Sequence, residues 1–137
     1  MYHVFGTMEF VKQHIAYRGS IFTIEWFFDQ NMKSQALEYF LELNDDRQDQ
    51  VMKLFKLMGE RGQINSITKF RNEGGGVYAF KPQPDRFLCF FCKGKKVVVT
   101  NAFEKKQDKL PKSEKDKAVR AKADYDARTE GGTYYGK

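Results

Sequence analysis

The chain has 137 residues, 41% hydrophobic and 15% aromatic, and its 24 Lys+Arg against 18 Asp+Glu give a formal net charge of +6. That length suits one domain with a real core, and the composition excludes a largely disordered chain. No apolar run approaches the ~18–20 residues of a membrane span. The opening Met-Tyr-His-Val-Phe-Gly-Thr-Met-Glu lacks the pattern of a secretion signal, and two cysteines make no disulfide scaffold, so a soluble cytoplasmic protein is expected.

Residues 1–20 read either as a loose N-terminal arm or as a short helix over Thr7–Ala16, capped by Thr7, with Met8, Val11 and Ile15 on one face. Ile21–Phe28 is short and dense in β-branched and aromatic residues, which predicts a strand. Ser34 caps a predicted helix to about Leu43, with Leu37, Phe40 and Leu41 as its stripe. Asn44-Asp45-Asp46 marks a turn. A second helix follows from about Arg47 to Met58, with Val51, Leu54, Phe55 and Met58 at helical spacing and Gly59 or Gly62 as its stop. So short a turn predicts an antiparallel helical hairpin.

Gly74-Gly75-Gly76 reads as a flexible break. Strands are expected over Val77–Lys81, Arg86–Cys92 and Lys96–Phe103, the first two separated by Pro82 and Pro84 and the last two by the Lys93-Gly94-Lys95 turn. In the middle strand Phe87, Cys89 and Phe91 share one face, and Leu88 and Phe90 share the other. Such a strand belongs in a sheet covered on both sides. Leu110-Pro111 precedes a last helix from about Glu114 to Arg128, with Ala118, Ala121 and Tyr125 on one side. Residues 129–137 read as a flexible tail. The expectation is an N-terminal extension (1–20), one α+β domain (21–128) and that tail.

The charge is one-sided. Residues 1–64 carry 7 basic and 9 acidic side chains, residues 65–137 carry 17 and 9, and Lys93–Lys122 alone holds 11 and 4. Such a field suits nucleic acid or an acidic protein, and a solvated lysine face would have the same composition. Cys89 and Cys92 form a C-x-x-C, but three residues apart on a strand the thiols point to opposite faces, so a core role is expected rather than metal or redox chemistry. The only histidines, His3 and His14, lie near the N-terminus. The triple glycine opens a strand rather than a helix, which excludes a phosphate loop. What remains is a set of cations converging on one rim of the sheet: Arg71, Lys81, Arg86, Lys105 and Lys106, with Glu104 among them and Tyr125 on the last helix. A charged strand edge that discourages aggregation has the same composition.

The succession Lys69–Lys81, Asp85–Phe91, Val97–Lys106, Leu110-Pro111 and Lys122–Tyr125 resembles the RelE/HigB-like toxins of type II toxin–antitoxin systems, in their phage-derived branch. The resemblance covers about residues 21–126. It implies a RelE-like α+β fold, with a small antiparallel twisted sheet, an N-terminal helical hairpin and a C-terminal helix. It also implies metal-free cleavage of mRNA on the ribosome, a cognate antitoxin, and no metal or small-molecule cofactor. On this basis Arg86, Lys105, Lys106 and Lys81 are the expected catalytic residues, with Glu104 or Tyr125 as further proton carriers. Arg71, Lys93, Lys95, Lys96, Lys109, Lys112, Arg120, Lys122 and Tyr125 are the expected RNA contacts. The sequence departs from the family pattern at Lys81, where Arg is common, at Ala79, where Glu is common, and at the Pro82–Pro84 turn. Two alternatives stay open on the same fold: a gyrase-inhibiting toxin and an RNA-binding protein without cleavage.

Overall fold

A computed structural model describes residues 14–135. Six strands form one mixed sheet in the order β1-β2-β6-β5-β4-β3. They are β1 (Ile15–Arg18), β2 (Thr23–Trp26), β3 (Phe70–Gly74), β4 (Val77–Phe80), β5 (Asp85–Cys92) and β6 (Lys96–Glu104). Three helices cover it: α1 (Gln35–Leu41), α2 (Asp45–Arg61) and α3 (Lys112–Glu130). None of the described helices is long and apolar enough to cross a membrane.

β5 is the organising strand. Phe87 and Cys89 point into the cluster shared with α1 and α2, while Leu88 and Phe90 point toward α3. All four are at most 1% exposed, so both faces of the sheet are covered. On the first face Trp26, Phe55, Phe80 and Phe87 are each fully buried, with ring centroids 4.9–6.3 Å apart in tilted and edge-on pairs, the geometry that aromatic quadrupoles prefer.

Ser34 caps α1 as expected, and Asn44, expected in a turn, caps α2, which begins at Asp45. Ser34 Oγ accepts from the Leu37 amide, and Asn44 Oδ1 accepts from the Arg47 amide, each satisfying a donor that the first turn leaves without a partner. α2 runs on to Gly62. Gly59 lies inside that helix for another reason: a Cβ there would meet the Tyr17 ring at 2.8 Å, and a Cβ on Gly19 would meet the Gly59 carbonyl at 2.3 Å. The β1–β2 turn packs directly on α2 backbone.

Several expectations are corrected. Residues 14–20 are no loose arm, and no helix reaches Ala16: Ile15–Arg18 form an edge strand antiparallel to β2. The remainder of the expected 7–16 helix lies outside the described residues. α1 and α2 follow one another through a short turn and are joined where Gln48 Nε2 donates to the Phe40 carbonyl at 2.9 Å. Each packs more on the sheet than on the other, α1 on β6 and α2 on β1 and β2, and their stripes share one core. Leu41 of the expected stripe is exposed, and Ala36 takes its buried position. The triple glycine is a tight turn rather than a break. All three residues have positive φ, and β3 before them pairs with β4, a hairpin the sequence reading lacked. The sheet is also not wholly antiparallel, since β2 and β6 pair in parallel. Two strands far apart in sequence leave no turn signal to reveal such a pairing. Last, the tail is anchored as far as Tyr135. Tyr134 is 3% exposed, its hydroxyl accepts from the Phe28 amide at 2.9 Å, and Tyr135 donates to Glu25 at 2.7 Å.

Phe55→Ala should lower unfolding stability by about 3–5 kcal/mol, the usual cost of emptying an aromatic core position. Urea denaturation, read as a lower midpoint at unchanged slope, checks it.

A cationic cleft between the sheet and the start of the last helix

Where β5 begins, two adjacent residues point to opposite faces. Asp85 enters the α1–α2 face, where its buried carboxylate accepts from Arg47 Nε at 3.0 Å, from Arg47 Nη2, and from the Tyr39 hydroxyl. The carboxylate raises the pKa of Arg47, and burial together with the same carboxylate raises that of Tyr39. Arg86 enters the α3 face. Its Nη1 donates to the Asp85 carbonyl at 2.9 Å and to Gln83 Oε1 at 3.4 Å. The charge pair behind the strand thus holds the peptide from which Arg86 projects.

β6 fixes the other wall. Thr100 is an extra residue between the pairs Leu88–Asn101 and Cys89–Val99, a bulge. Beyond it the buried Asn101 amide donates to the Glu114 carbonyl and carboxylate at 3.1 and 3.0 Å, tying β6 to the first turn of α3. The chain between β6 and α3 therefore folds back over the sheet. Lys105 N donates to the Pro84 carbonyl at 2.9 Å, beside the turn that precedes Arg86.

The result is a narrow cleft lined by Arg71 and Glu73 of β3, Ala79 of β4 and Lys81 just after it, Arg86 of β5, Phe103 of β6, and Lys105 and Gln107–Pro111 of the connecting loop. It encloses about 20 Å³, room for little more than one water and far below the hundreds of Å³ of a small-molecule pocket. Five cations and two carboxylates line it, so it suits an anionic chain laid against its mouth. Asp108 is pulled below the usual carboxylate range by its 3.0 Å contact with Lys105. Lys81 donates to the Ile67 carbonyl at 3.1 Å. Burial first, then the charges of Arg86 and Arg71, lower its pKa. Burial also lowers that of Arg86.

Of the expected site residues, Arg71, Lys81, Arg86, Lys105 and Lys109 come together here. Lys106 is exposed and outside the lining, because neighbouring residues leaving a strand point to opposite sides. Lys112 opens α3 and pairs with Asp116. Arg120 lines a separate depression with Phe27 and Asp29. Lys93, Lys96, Lys122 and Tyr125 line an open depression of about 760 Å³ at the other end of β5, with Lys95 in the adjoining turn, about 20 Å away at ~3.3 Å per strand residue. There Lys96 is 3.7 Å from Glu25 and Lys122 is 3.0 Å from Asp126. Tyr125 is 4% exposed and bonded to Tyr135 at 2.7 Å, and burial raises its pKa. It is a packing residue. Glu104 turns to the other face, 3.6 Å from Arg47.

Sequence reasoning missed Glu73, Gln107 and Asp108, which enter the cleft only because of the β3–β4 hairpin and the folded-back loop. It also missed the Arg47–Asp85–Tyr39 support, for which a short interval between residues gives no cue. Cys89 and Cys92 lie on opposite faces, and burial raises the pKa of each. Among the described residues no group of three His, Cys, Asp or Glu is arranged to hold a metal ion.

Arg47→Gln should lower the urea midpoint more than Arg47→Lys, since lysine keeps the charge opposite Asp85 and loses only the paired donors. Equal midpoints for the two variants would remove Arg47 as the support of this strand.

A family model described as phage-derived protein Gp49-like matches residues 38–123, from within α1 to within α3, and so spans the whole cleft. No curated protein matches the chain.

Proposed function

Because the chain belongs to the phage-derived Gp49-like family, which is associated with toxin–antitoxin systems, we propose that it is the toxin of a type II pair and cleaves mRNA at the ribosome without a metal. The observation that carries this reading is the convergence of Arg71, Lys81, Arg86, Lys105 and Lys109 on one cleft too small for a metabolite. The resemblance of the same strands to RelE/HigB-like toxins supports it.

The chemistry needs cations where charge develops on the phosphorus oxygens, a base for the ribose 2′-OH and an acid for the departing 5′ oxygen. Arg86, held by the Asp85 carbonyl and Gln83, presents a planar fork to two phosphate oxygens. Lys105 and Arg71 flank it. Lys81, whose proton is loosened by burial and by its cationic neighbours, suits donation to the leaving oxygen. A cognate antitoxin would meet this basic side with an acidic segment.

Induced expression should arrest growth and create new mRNA 5′ ends inside coding frames. Arg86→Ala should reduce cleavage about 10²–10³-fold, the range for loss of one preorganised donor, with the protein still folded. Arrest without new ends would sink the nuclease reading and favour a target such as gyrase. Salt-dependent RNA binding without arrest or cleavage would leave an RNA-binding protein.

A further inference from the structure

Resting on the nuclease reading above, we propose that Glu73 is the general base that takes the proton from the ribose 2′-OH. Among the groups that face the cleft, it is the one whose chemistry and placement suit that task. No described histidine lines the cleft, and Tyr125 is packed at the other end of the sheet. Asp108 is fully exposed and tied to Lys105. Glu104 faces Arg47 on the opposite side. Lys81 and Arg86 already serve in the reading above as the proton donor to the leaving oxygen and as the clamp on the phosphate.

Glu73 is different. It is half-buried on β3, and its charge acts on both Lys81 and Arg86, opposing the loss of their protons. Yet no ion pair within 4.0 Å ties it to a described cation. A carboxylate serving only to balance charge gains most by touching its partners. One held off them, among groups that bind phosphate, leaves the gap a substrate would fill. Its backbone is fixed: Lys115 of α3 donates to the Glu73 carbonyl at 2.9 Å, and Asn72 Oδ1 accepts from the Gly74 amide at 2.8 Å. Lys115 thus ties the end of β3 to α3.

In the step, the 2′ oxygen forms a bond to phosphorus as its proton moves to the Glu73 carboxylate. The phosphorus–O5′ bond breaks, and Lys81 gives its proton to O5′. The products are a 2′,3′-cyclic phosphate and a 5′-hydroxyl, with no other reactant. Activity therefore rises as Glu73 loses its proton and falls as Lys81 loses its own, a bell-shaped profile.

The test is the pH profile of cleavage of a defined mRNA on translating ribosomes by purified full-length wild type, Glu73→Gln and Glu73→Asp, each checked for fold by circular dichroism. Glu73→Gln should lower kcat about 10²–10⁴-fold, abolish the acid limb and leave KM equal or lower, because it removes a negative charge from an RNA-binding cleft. Glu73→Asp should keep the acid limb at reduced rate. If Glu73→Gln keeps the acid limb, whatever its rate, the assignment is overturned. If only the alkaline limb moves, Glu73 acts through Lys81 and is not the base. Failure of wild type to cleave at any pH would overturn the nuclease reading itself, and the assignment with it.

Discussion

The fold depends on one strand that is apolar on both faces. Phe87 and Cys89 on one side of β5 and Leu88 and Phe90 on the other are essentially unexposed, so the sheet must be covered twice. α1 and α2 supply one cover and α3 the other. The covers are unequal. α3 reaches the sheet only after the loop from β6 has crossed it, and at the start of β5 the α3 face is closed by that loop instead. The cleft is the gap between that loop, the β3–β4 hairpin and the start of β5.

The same strand divides the charge. At its first two positions Asp85 goes to the covered face, where Arg47 and Tyr39 satisfy it, and Arg86 goes to the cleft. Burying a lone carboxylate would be costly. Pairing it with α2 turns that cost into a support for the peptide that carries Arg86. On the other side the cleft collects more cations than carboxylates. Burial, and then that repulsion, loosens the Lys81 proton, and a polyanion would relieve the repulsion. A cationic site of this kind stores part of the free energy that substrate binding releases.

How much was legible follows from which signals are local. The stripe Val51, Leu54, Phe55 and Met58 marked α2 because helical spacing is read within one segment, and all four are buried. Ser34 marked a helix start for the same reason, whereas Asn44-Asp45-Asp46 read as a turn and Asn44 proves to cap α2. The two-faced pattern of β5 was equally plain, and it placed Cys89 and Cys92 apart. Edge strands were harder. β3 contains Arg71, Asn72 and Glu73, with little apolar alternation, and it becomes a strand through pairing with β4. β1 is a strand because Gly19 and Gly59 allow its turn to rest on α2. In the cleft the meander brought Lys81, Arg86 and Lys105 together as antiparallel geometry requires. Lys106 fell outside by one residue of register, and the lysines of 93–122 divided between two ends of the sheet because a run of like charge carries no direction. Glu73 could not be found without β3.

The most direct test of the account is chemical and uses no variant protein. Wild type should be given a defined mRNA on translating ribosomes, and the same mRNA with a single 2′-deoxy nucleotide 5′ to the mapped cleavage position. The account predicts a 2′,3′-cyclic phosphate and a 5′-hydroxyl from the first and no cut at that position in the second. Cutting of the deoxy substrate, or a 5′-phosphate product, would contradict attack by the 2′-OH and with it the central claim.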